Sequence, residues 1–344
     1  MSTSPLRWGL LSTAHINRSV MAPLRLSPRN TLVAVASRDA AKARAYAAEW
    51  QIAHAFDSYE AMLHSDVIDA VYVSLPNGLH AEWAAKALRA GKHVLCEKPF
   101  ATTLADVDLM IRAQRETGRV LAEAFMYRHH PQTLKVQELV RSGAIGQVRL
   151  VRGSFTFTLV DRTNVRVNPA LDGGSIWDVG CYPISYARMI IGEEPVEASA
   201  MQAVGDSGVD ETFVGTLRFP SGAYAQFDSG FHAPFRTNIE IAGSEGVIVV
   251  PRPFKPAGHD TFYIGQASDQ LKPVTVEGPP DLYLGEVEDM ADAVLDGKAP
   301  RITLSDSRAN VAAILALLHA AKERKTITIS AADQPARAST TGAR

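Results

Sequence analysis

Residues 69–100 read DAVYVSLPNGLHAEWAAKALRAGKHVLCEKPF. The runs at 69–75 (DAVYVSL) and 92–96 (KHVLC) are apolar at almost every position rather than at every second one. Strands read this way when helices cover both faces of their sheet and neither face meets water. Between the runs, GLHAEWAAKALRAG has apolar residues at helical spacing and stops at Gly91, a natural helix-ending glycine. A strand, a helix and a second strand in so short a span form a parallel β-α-β unit.

The same grammar extends on either side. LRWGLL (6–11), TLVAVA (31–36) and RVLAEAF (119–125) are further strand candidates, and Asp39 is placed to cap the helix AAKARAYAAEW. Residues 1–124 are therefore predicted to form a Rossmann-type domain, a doubly wound parallel sheet of the α/β class. Past 125 the pattern changes. A helix is predicted over 131–143, followed by longer strand patterns: QVRLVRGSFTFTL, TFVGTLRFP, GAYAQFDSGF, TNIEIAGS and GVIVV. Turn residues at 220–222 and 243–246 join neighbouring strands, which predicts an α+β domain over 125–330 with a large, mainly antiparallel open sheet. Further helices are expected at 174–191, 282–296 and 305–323. The Pro- and Gly-rich segment 251–281 reads as loops, and the tail 331–344 as disordered.

Composition narrows the function. A chain of 344 residues exceeds what one core usually supports. A net charge of −2 gives no pull toward nucleic acid or anionic membrane, and no apolar stretch approaches a membrane span. Two cysteines, Cys96 and Cys181, without a framework spacing suit a reducing cytoplasm.

The first strand runs into a segment of small residues, Ser12-Thr13-Ala14-His15-Ile16, before a helix. This is where a Rossmann fold seats a pyrophosphate on free backbone N–H groups. The usual G-x-G-x-x-G/A becomes Ser12-x-Ala14-x-x-Asn17, with no glycine left, so a plain β-turn-α connection stays open as the alternative. The second strand ends at Ser37-Arg38, where an NAD-preferring fold usually has a carboxylate for the ribose 2′-hydroxyl. Arg38 can instead pair with a 2′-phosphate, Ser37 can donate to it, and Lys42 and Arg44 add positive potential. The expected cofactor is NADP(H) rather than NAD(H).

Two motifs stand at strand C-termini, where open α/β sheets bind ligands. These are Leu75-Pro76-Asn77 with His80, and Cys96-Glu97-Lys98-Pro99. With Gly173-Gly174-Ser175-Ile176-Trp177-Asp178-Val179-Gly180-Cys181-Tyr182, they resemble the Gfo/Idh/MocA oxidoreductases over about residues 6–325. The resemblance implies a catalytic Lys98, often followed by a cis bond to proline. It implies cofactor contacts from Leu75, Pro76, Asn77, His80 and Glu97. It also makes Ala124–Pro131, with Tyr127 and Arg128, a crossing segment near nicotinamide and substrate. Many members carry D-x-x-x-H in the second domain, whereas this chain has Asp178-x-x-x-Tyr182. Tyrosine there resembles the branch with glucose–fructose oxidoreductase, dimeric dihydrodiol dehydrogenase and NADP-dependent pentose dehydrogenases.

Chemistry fits the resemblance. Hydride transfer between a CH–OH and a nicotinamide leaves a proton to be moved. Tyr182 is the expected acid/base, and Lys98 the cation that stabilises the alkoxide and lowers the phenol's pKa. Asp178, one turn before Tyr182, is expected to orient Lys98 or accept a sugar hydroxyl; Tyr186 is the competing tyrosine. Tyr127, Trp177 and Arg162 are further candidates for the substrate pocket, with Phe155, Asn164, Arg166 and Asn168 from the same loop region. His129 and His130 lack the spaced partners of a metal site, and none is predicted. The expected substrate is a sugar, polyol or keto-sugar, and the expected assembly a homodimer through the open sheet face, or a tetramer. Two other readings are a glycoside hydrolase or lyase using transient NAD oxidation, and a non-catalytic dinucleotide-sensing regulator.

Overall fold

The computed structural model describes residues 4–330; the predicted disordered tail lies outside them. The first sheet is built from β1 (Leu6–Leu11), β2 (Asn30–Ala36), β3 (His54–Phe56), β4 (Ala70–Val73), β5 (His93–Glu97) and β6 (Leu121–Ala124). Its order is β3-β2-β1-β4-β5-β6 with every pair parallel, the Rossmann arrangement. The helices between them are α1 (Asn17–Leu26), α2 (Ala40–Trp50), α3 (Tyr59–Leu63), α4 (His80–Arg89) and α5 (Leu104–Thr117). Asp39 caps α2, accepting from the Ala41 and Lys42 amides at 2.9 and 3.1 Å. Gly91 has φ +81°, as a glycine just past the end of α4 requires. The strands bury both faces: Val71 and Val73 pack on the α4 side, while Trp8, Leu10 and Tyr72 pack toward α1.

The chain then crosses through Met126–His129, one 3₁₀ turn, into α6 (Pro131–Arg141). The second sheet contains β7 (Val148–Thr158), β8 (Glu197–Val204), β9 (Asp210–Arg218), β10 (Tyr224–Gly230), β11 (His232–Gly243), β12 (Val247–Val250), β13 (His259–Gly265), β14 (Lys272–Glu277) and β15 (Ile327–Thr328). Its order is β14-β13-β12-β11-β7-β10-β9-β8-β15. Every pairing is antiparallel except β7 with β10. One face buries Phe155, Phe213, Phe227 and Ile239 under α7 (Cys181–Ile191) and α9 (Leu304–Glu323). The other face is open and bears Met201, Val214 and Tyr224.

Two expectations need correction. Residues 251–281 are not all loop, because β13 and β14 lie there. Their alternation is real, with Asp260 and Phe262 buried between the less buried His259, Thr261 and Tyr263, but flanking prolines and glycines mask it. Finally, α8 (Leu284–Leu295) returns to the first sheet, where Val287 and Met290 join the core around Trp8 and Leu10.

Candidate active site

β5 delivers the central residue. Lys98 follows its last residue, and the Lys98–Pro99 bond is cis, as the motif implied. The Lys98 ammonium donates to the Asp178 carbonyl at 2.6 Å and to Asp178 Oδ1 at 3.1 Å. Arg166 Nε donates to the other carboxylate oxygen at 2.6 Å. Asp178 sits on one turn of π-helix, Ile176–Gly180, that runs directly into α7. Asp210, from β9, anchors the start of that turn by accepting from Ser175 Oγ at 2.6 Å and the Ile176 amide at 2.9 Å. Gly174 has φ +127°, and a Cβ there would lie 2.3 Å from Asp210 Oδ1, so only glycine fits.

Tyr182, in the first turn of α7, lies beside Lys98, whose Nζ stands over the phenol ring 5.1 Å from its centroid. The two are not hydrogen bonded. The Tyr182 hydroxyl donates only weakly, to Met126 Sδ at 3.9 Å. Phe125, Phe155 and Phe254 wall the ring in. Burial pushes the Tyr182 pKa well above the usual tyrosine value. This overturns the expected lowering by Lys98. That cation is already neutralised by Asp178, and little of its field is left for the phenol. Burial opposes the Lys98 charge, yet Asp178 outweighs it and the ammonium pKa rises. Asp178 is likewise burdened by burial but held low by Lys98 and Arg166. At neutral pH the cluster is an ammonium, a carboxylate, a guanidinium and a neutral phenol.

Behind Lys98, the Glu97 carboxyl is buried, accepts from the Tyr72 hydroxyl and is pushed up by burial. His80 bridges two loops, its Nδ1 2.8 Å from the Pro99 carbonyl and its Nε2 2.7 Å from that of Leu75. A neutral ring can donate to only one of them. Burial, the larger effect, lowers its pKa despite both carbonyls. Asn77 donates to the Asp172 carbonyl at 2.8 Å, tying the β4 loop to the second domain.

The turn after β1 has the shape its small residues suggested. Ser12 stands at φ +129°, a conformation that favours glycine. Its hydroxyl accepts from the Ala14 amide at 3.1 Å, and Asn17 donates to the Ser12 carbonyl at 2.8 Å. Hydrogen bonds thus hold the bend that glycines usually permit. No side chain caps α1, but the amides of Asn17, Arg18 and Ser19 donate to the carbonyls of Ala14, His15 and Ile16 at 3.2, 3.2 and 2.9 Å, so the backbone N–H groups left for an anion are those of Thr13, His15 and Ile16 ahead of the helix. At the end of β2, Ser37 is buried, while Arg38 is exposed and reaches the Tyr59 hydroxyl. Asp39 is spent on the α2 cap, and Lys42 is exposed. This donor set fits a dinucleotide with a 2′-phosphate.

The family models agree with this layout. One described as "Oxidoreductase family, NAD-binding Rossmann fold" matches residues 6–125, and one for the "GFO/IDH/MocA C-terminal domain" matches 133–249. The chain belongs to the Gfo/Idh/MocA oxidoreductase family. D-xylose 1-dehydrogenase (NADP(+)) 2 of Haloferax volcanii is 37% identical, over 88% of this chain and 93% of that protein. A 3-ketoreductase from Actinomadura kijaniata, solved with NADP and TDP-benzene, superposes with a TM-score of 0.87 at 31% identity, covering 92% and 98% of the two chains. The aldose-aldose oxidoreductase of Caulobacter crescentus, solved with glycerol, gives 0.86 at 28%, covering 94% and 99%.

Not every candidate residue reaches the cleft of this Gfo/Idh/MocA chain. Arg128 is buried, with its guanidinium on Ser185 at 2.9 Å and on Asp306 at 2.9 Å, between α7 and α9. Tyr127 is fully buried behind Tyr182, stacked on Tyr186. Arg162 forms a two-pronged pair with Glu211, which His232 also contacts. From that loop it is Arg166 that joins Asp178. His129 packs on Gly285, and His130 caps α6. Three site neighbours went unnoticed in the sequence: Phe254, Lys255 and Tyr283. The only signal was an isolated Phe between prolines at 251–256, a large apolar group in a stretch with nothing else to bury it.

Proposed function

We propose that the chain is an NADP(H)-dependent oxidoreductase that interconverts CH–OH and C=O at one carbon of a sugar, polyol or keto-sugar. The observation that carries this reading is the Lys98–Asp178–Arg166 cluster, largely buried at Lys98 and Asp178 and half-exposed at Arg166, with Lys98 over the face of Tyr182 at the C-terminal end of β5. When bound, the dinucleotide supplies the hydride acceptor or donor. The turn at Ser12–Ile16 ahead of α1 would hold its pyrophosphate, and Ser37, Arg38 and Lys42 its 2′-phosphate.

The protein's own residues handle the proton. Tyr182 is neutral, and its hydroxyl has no strong acceptor, so the proton is free to go to a developing alkoxide. Lys98 stabilises that oxygen, and Asp178 fixes the ammonium while keeping it charged. Arg166 holds Asp178 from the other side. The aromatic wall of Phe125, Phe155 and Phe254 excludes water, which strengthens each of these interactions. The NADP specificity of the Haloferax relative and the NADP in the Actinomadura complex support the cofactor preference. We place the protein in the cytoplasm and expect it to pair as a homodimer through the open sheet face, which light scattering would check. Among the described residues no helix is long and apolar enough to cross a membrane.

The test is a panel of aldoses, polyols and keto-sugars assayed with NADP(H) and NAD(H). Net oxidation or reduction of the nicotinamide with one of them is expected. Substrate cleavage without net change in the nicotinamide would overturn the reading.

A further inference from the structure

We infer that Asp210, at the start of β9, is a positioning residue of the redox site: it holds Asp178 and Arg166 where together they keep the Lys98 ammonium aimed and charged. This rests on the oxidoreductase reading above and adds a residue that acts through Asp178.

The π-helical turn Ile176–Gly180 carries Asp178, and no side chain from its own segment caps its start. Asp210 takes that place from the sheet. Its Oδ2 accepts from the Ser175 hydroxyl at 2.6 Å and from the Ile176 amide at 2.9 Å. Ser175 is fully buried, and its Oγ also lies 3.1 Å from Ser229 Oγ on β10. Ser229 in turn meets the far end of the turn, where a Cβ on Gly180 would lie 3.0 Å from its Oγ. Two neighbouring strands therefore grip the turn at both ends.

Gly174 links this grip to both partners of Lys98. Its carbonyl accepts from the Asp178 amide at 3.0 Å, and its own amide donates to the Arg166 carbonyl at 2.9 Å. Asp210 Oδ1 stands where a side chain on Gly174 would have to go, so the two segments are seated against each other. A turn that slips carries with it the Asp178 carbonyl and Oδ1, the two acceptors of Lys98, and Oδ2, the acceptor of Arg166. Asp210 itself is 6% exposed and pairs with no cation among the described residues. Its neighbour in sequence, Glu211, is turned to Arg162 and His232. Burial raises the Asp210 pKa to about 6, which leaves it ionised at neutral pH. A buried carboxylate without a cation is costly. Here its charge goes into bonds to the turn that are roughly twice as strong as a neutral acceptor would make.

Lys98 reports whether the turn is in place. Burial lowers its pKa, and of the groups around it, Asp178, Cys181, Glu97, Arg166 and Tyr182, it is Asp178 that raises it most. The experiment measures kcat and KM against pH for the full-length chain, Asp210→Ala, Asp210→Asn and Ser175→Ala, with a sugar from the panel above. Asp210→Ala should lower kcat by about tenfold or more with little change in NADP(H) affinity. It should also move the alkaline limb of the profile to lower pH, because Asp178 then holds the ammonium less well. Asp210→Asn keeps an acceptor oxygen for Ser175 and Ile176 and should regain most of both losses. A folded Asp210→Ala with an unmoved limb would overturn the inference, whatever its kcat, because Asp210 would then only brace the fold. Should Asp210→Ala fail to fold, Ser175→Ala decides, since it removes the hydroxyl bond alone; an unmoved limb there overturns the inference too. If no sugar turns over, the pH dependence of Lys98 acetylation by acetic anhydride, read by mass spectrometry on the NADP(H)-loaded protein, decides the matter separately. Reaction at lower pH in Asp210→Ala supports the positioning role even as the redox reading fails, and an unchanged curve sinks it.

Discussion

Replacing Glu123 by Gln should stabilise the protein above neutral pH and leave it unchanged in acid. Glu123 lies on β6 and is 2% exposed. Its Oε1 accepts from the Phe100 amide at 3.0 Å, two residues past Lys98, so it helps hold the loop that carries the ammonium. Among the described residues, its Oε2 and the Ser307 hydroxyl that faces it lack a partner in good hydrogen-bond geometry. Burial, opposed by Ser307, the Phe100 amide and Arg128, raises the Glu123 pKa from 4.5 to about 7. The folded state therefore holds this proton more tightly than the unfolded chain does. The resulting stability is complete below pH 4.5 and is lost as pH climbs through 7. A shift of that size corresponds to about 3 kcal/mol at pH 8. Glutamine keeps the acceptor for Phe100, brings a donor for Ser307 and never ionises. Urea unfolding at pH 5, 6, 7 and 8 should show Glu123→Gln pulling ahead of the unaltered chain, by up to about 3 kcal/mol at the alkaline end. Parallel stability curves over that range, or a less stable variant at pH 8, would refute the account.

Three further outcomes are expected. Lys98→Ala and Tyr182→Phe should each lower kcat by about 100-fold or more with little change in NADP(H) affinity, measured by turnover and by fluorescence titration; near-normal turnover would remove that residue from the chemistry. Arg38→Asp should raise the KM for NADP(H) far more than that for NAD(H), and equal changes would argue against a phosphate contact. Asp178→Asn strips the carboxylate from both Lys98 and Arg166, which should cost about 3 kcal/mol in denaturant unfolding. It should also lower the Lys98 pKa, because the largest counterweight to burial is then gone, moving the alkaline limb of the pH–rate profile to lower pH; an unmoved limb would disconnect Lys98 from that limb.

Much of the fold was legible because burial leaves a periodic trace. Runs such as AVYV, and VLC within β5, are apolar throughout, and their sheet is covered on both faces. Where the trace failed, other constraints outweighed it. β3 is three residues long with two of them exposed, and β8 mixes small, polar and apolar residues, with Met201 and Val204 at its far end in solvent. β13 and β14 hid among prolines and glycines that serve the turns beside them. The site shows the same division. Lys98, Asp178 and Tyr182 were legible because each belongs to a compact motif on a regular element. Phe254 and Lys255 belong to a loop whose position depends on an aromatic cluster assembled from distant segments.

The misreadings within the site share one cause, which is that neighbours compete for a charge. Arg162 and Arg166 lie four residues apart on a loop without periodicity, and nothing local distinguishes them. The choice is made by Glu211, which takes Arg162, and by Asp178, which takes Arg166. The phenol follows the same rule. A lysine beside a tyrosine lowers its pKa only while the lysine's field is unspent, and Asp178 has already spent it. Burial does the rest and raises the phenol's pKa, so Tyr182 stays protonated, the form that the proposed reduction of a carbonyl requires. In the reverse direction the phenol must first lose its proton against burial. By that reasoning the resting site is set for reduction, and oxidation should gain more than reduction does as pH rises.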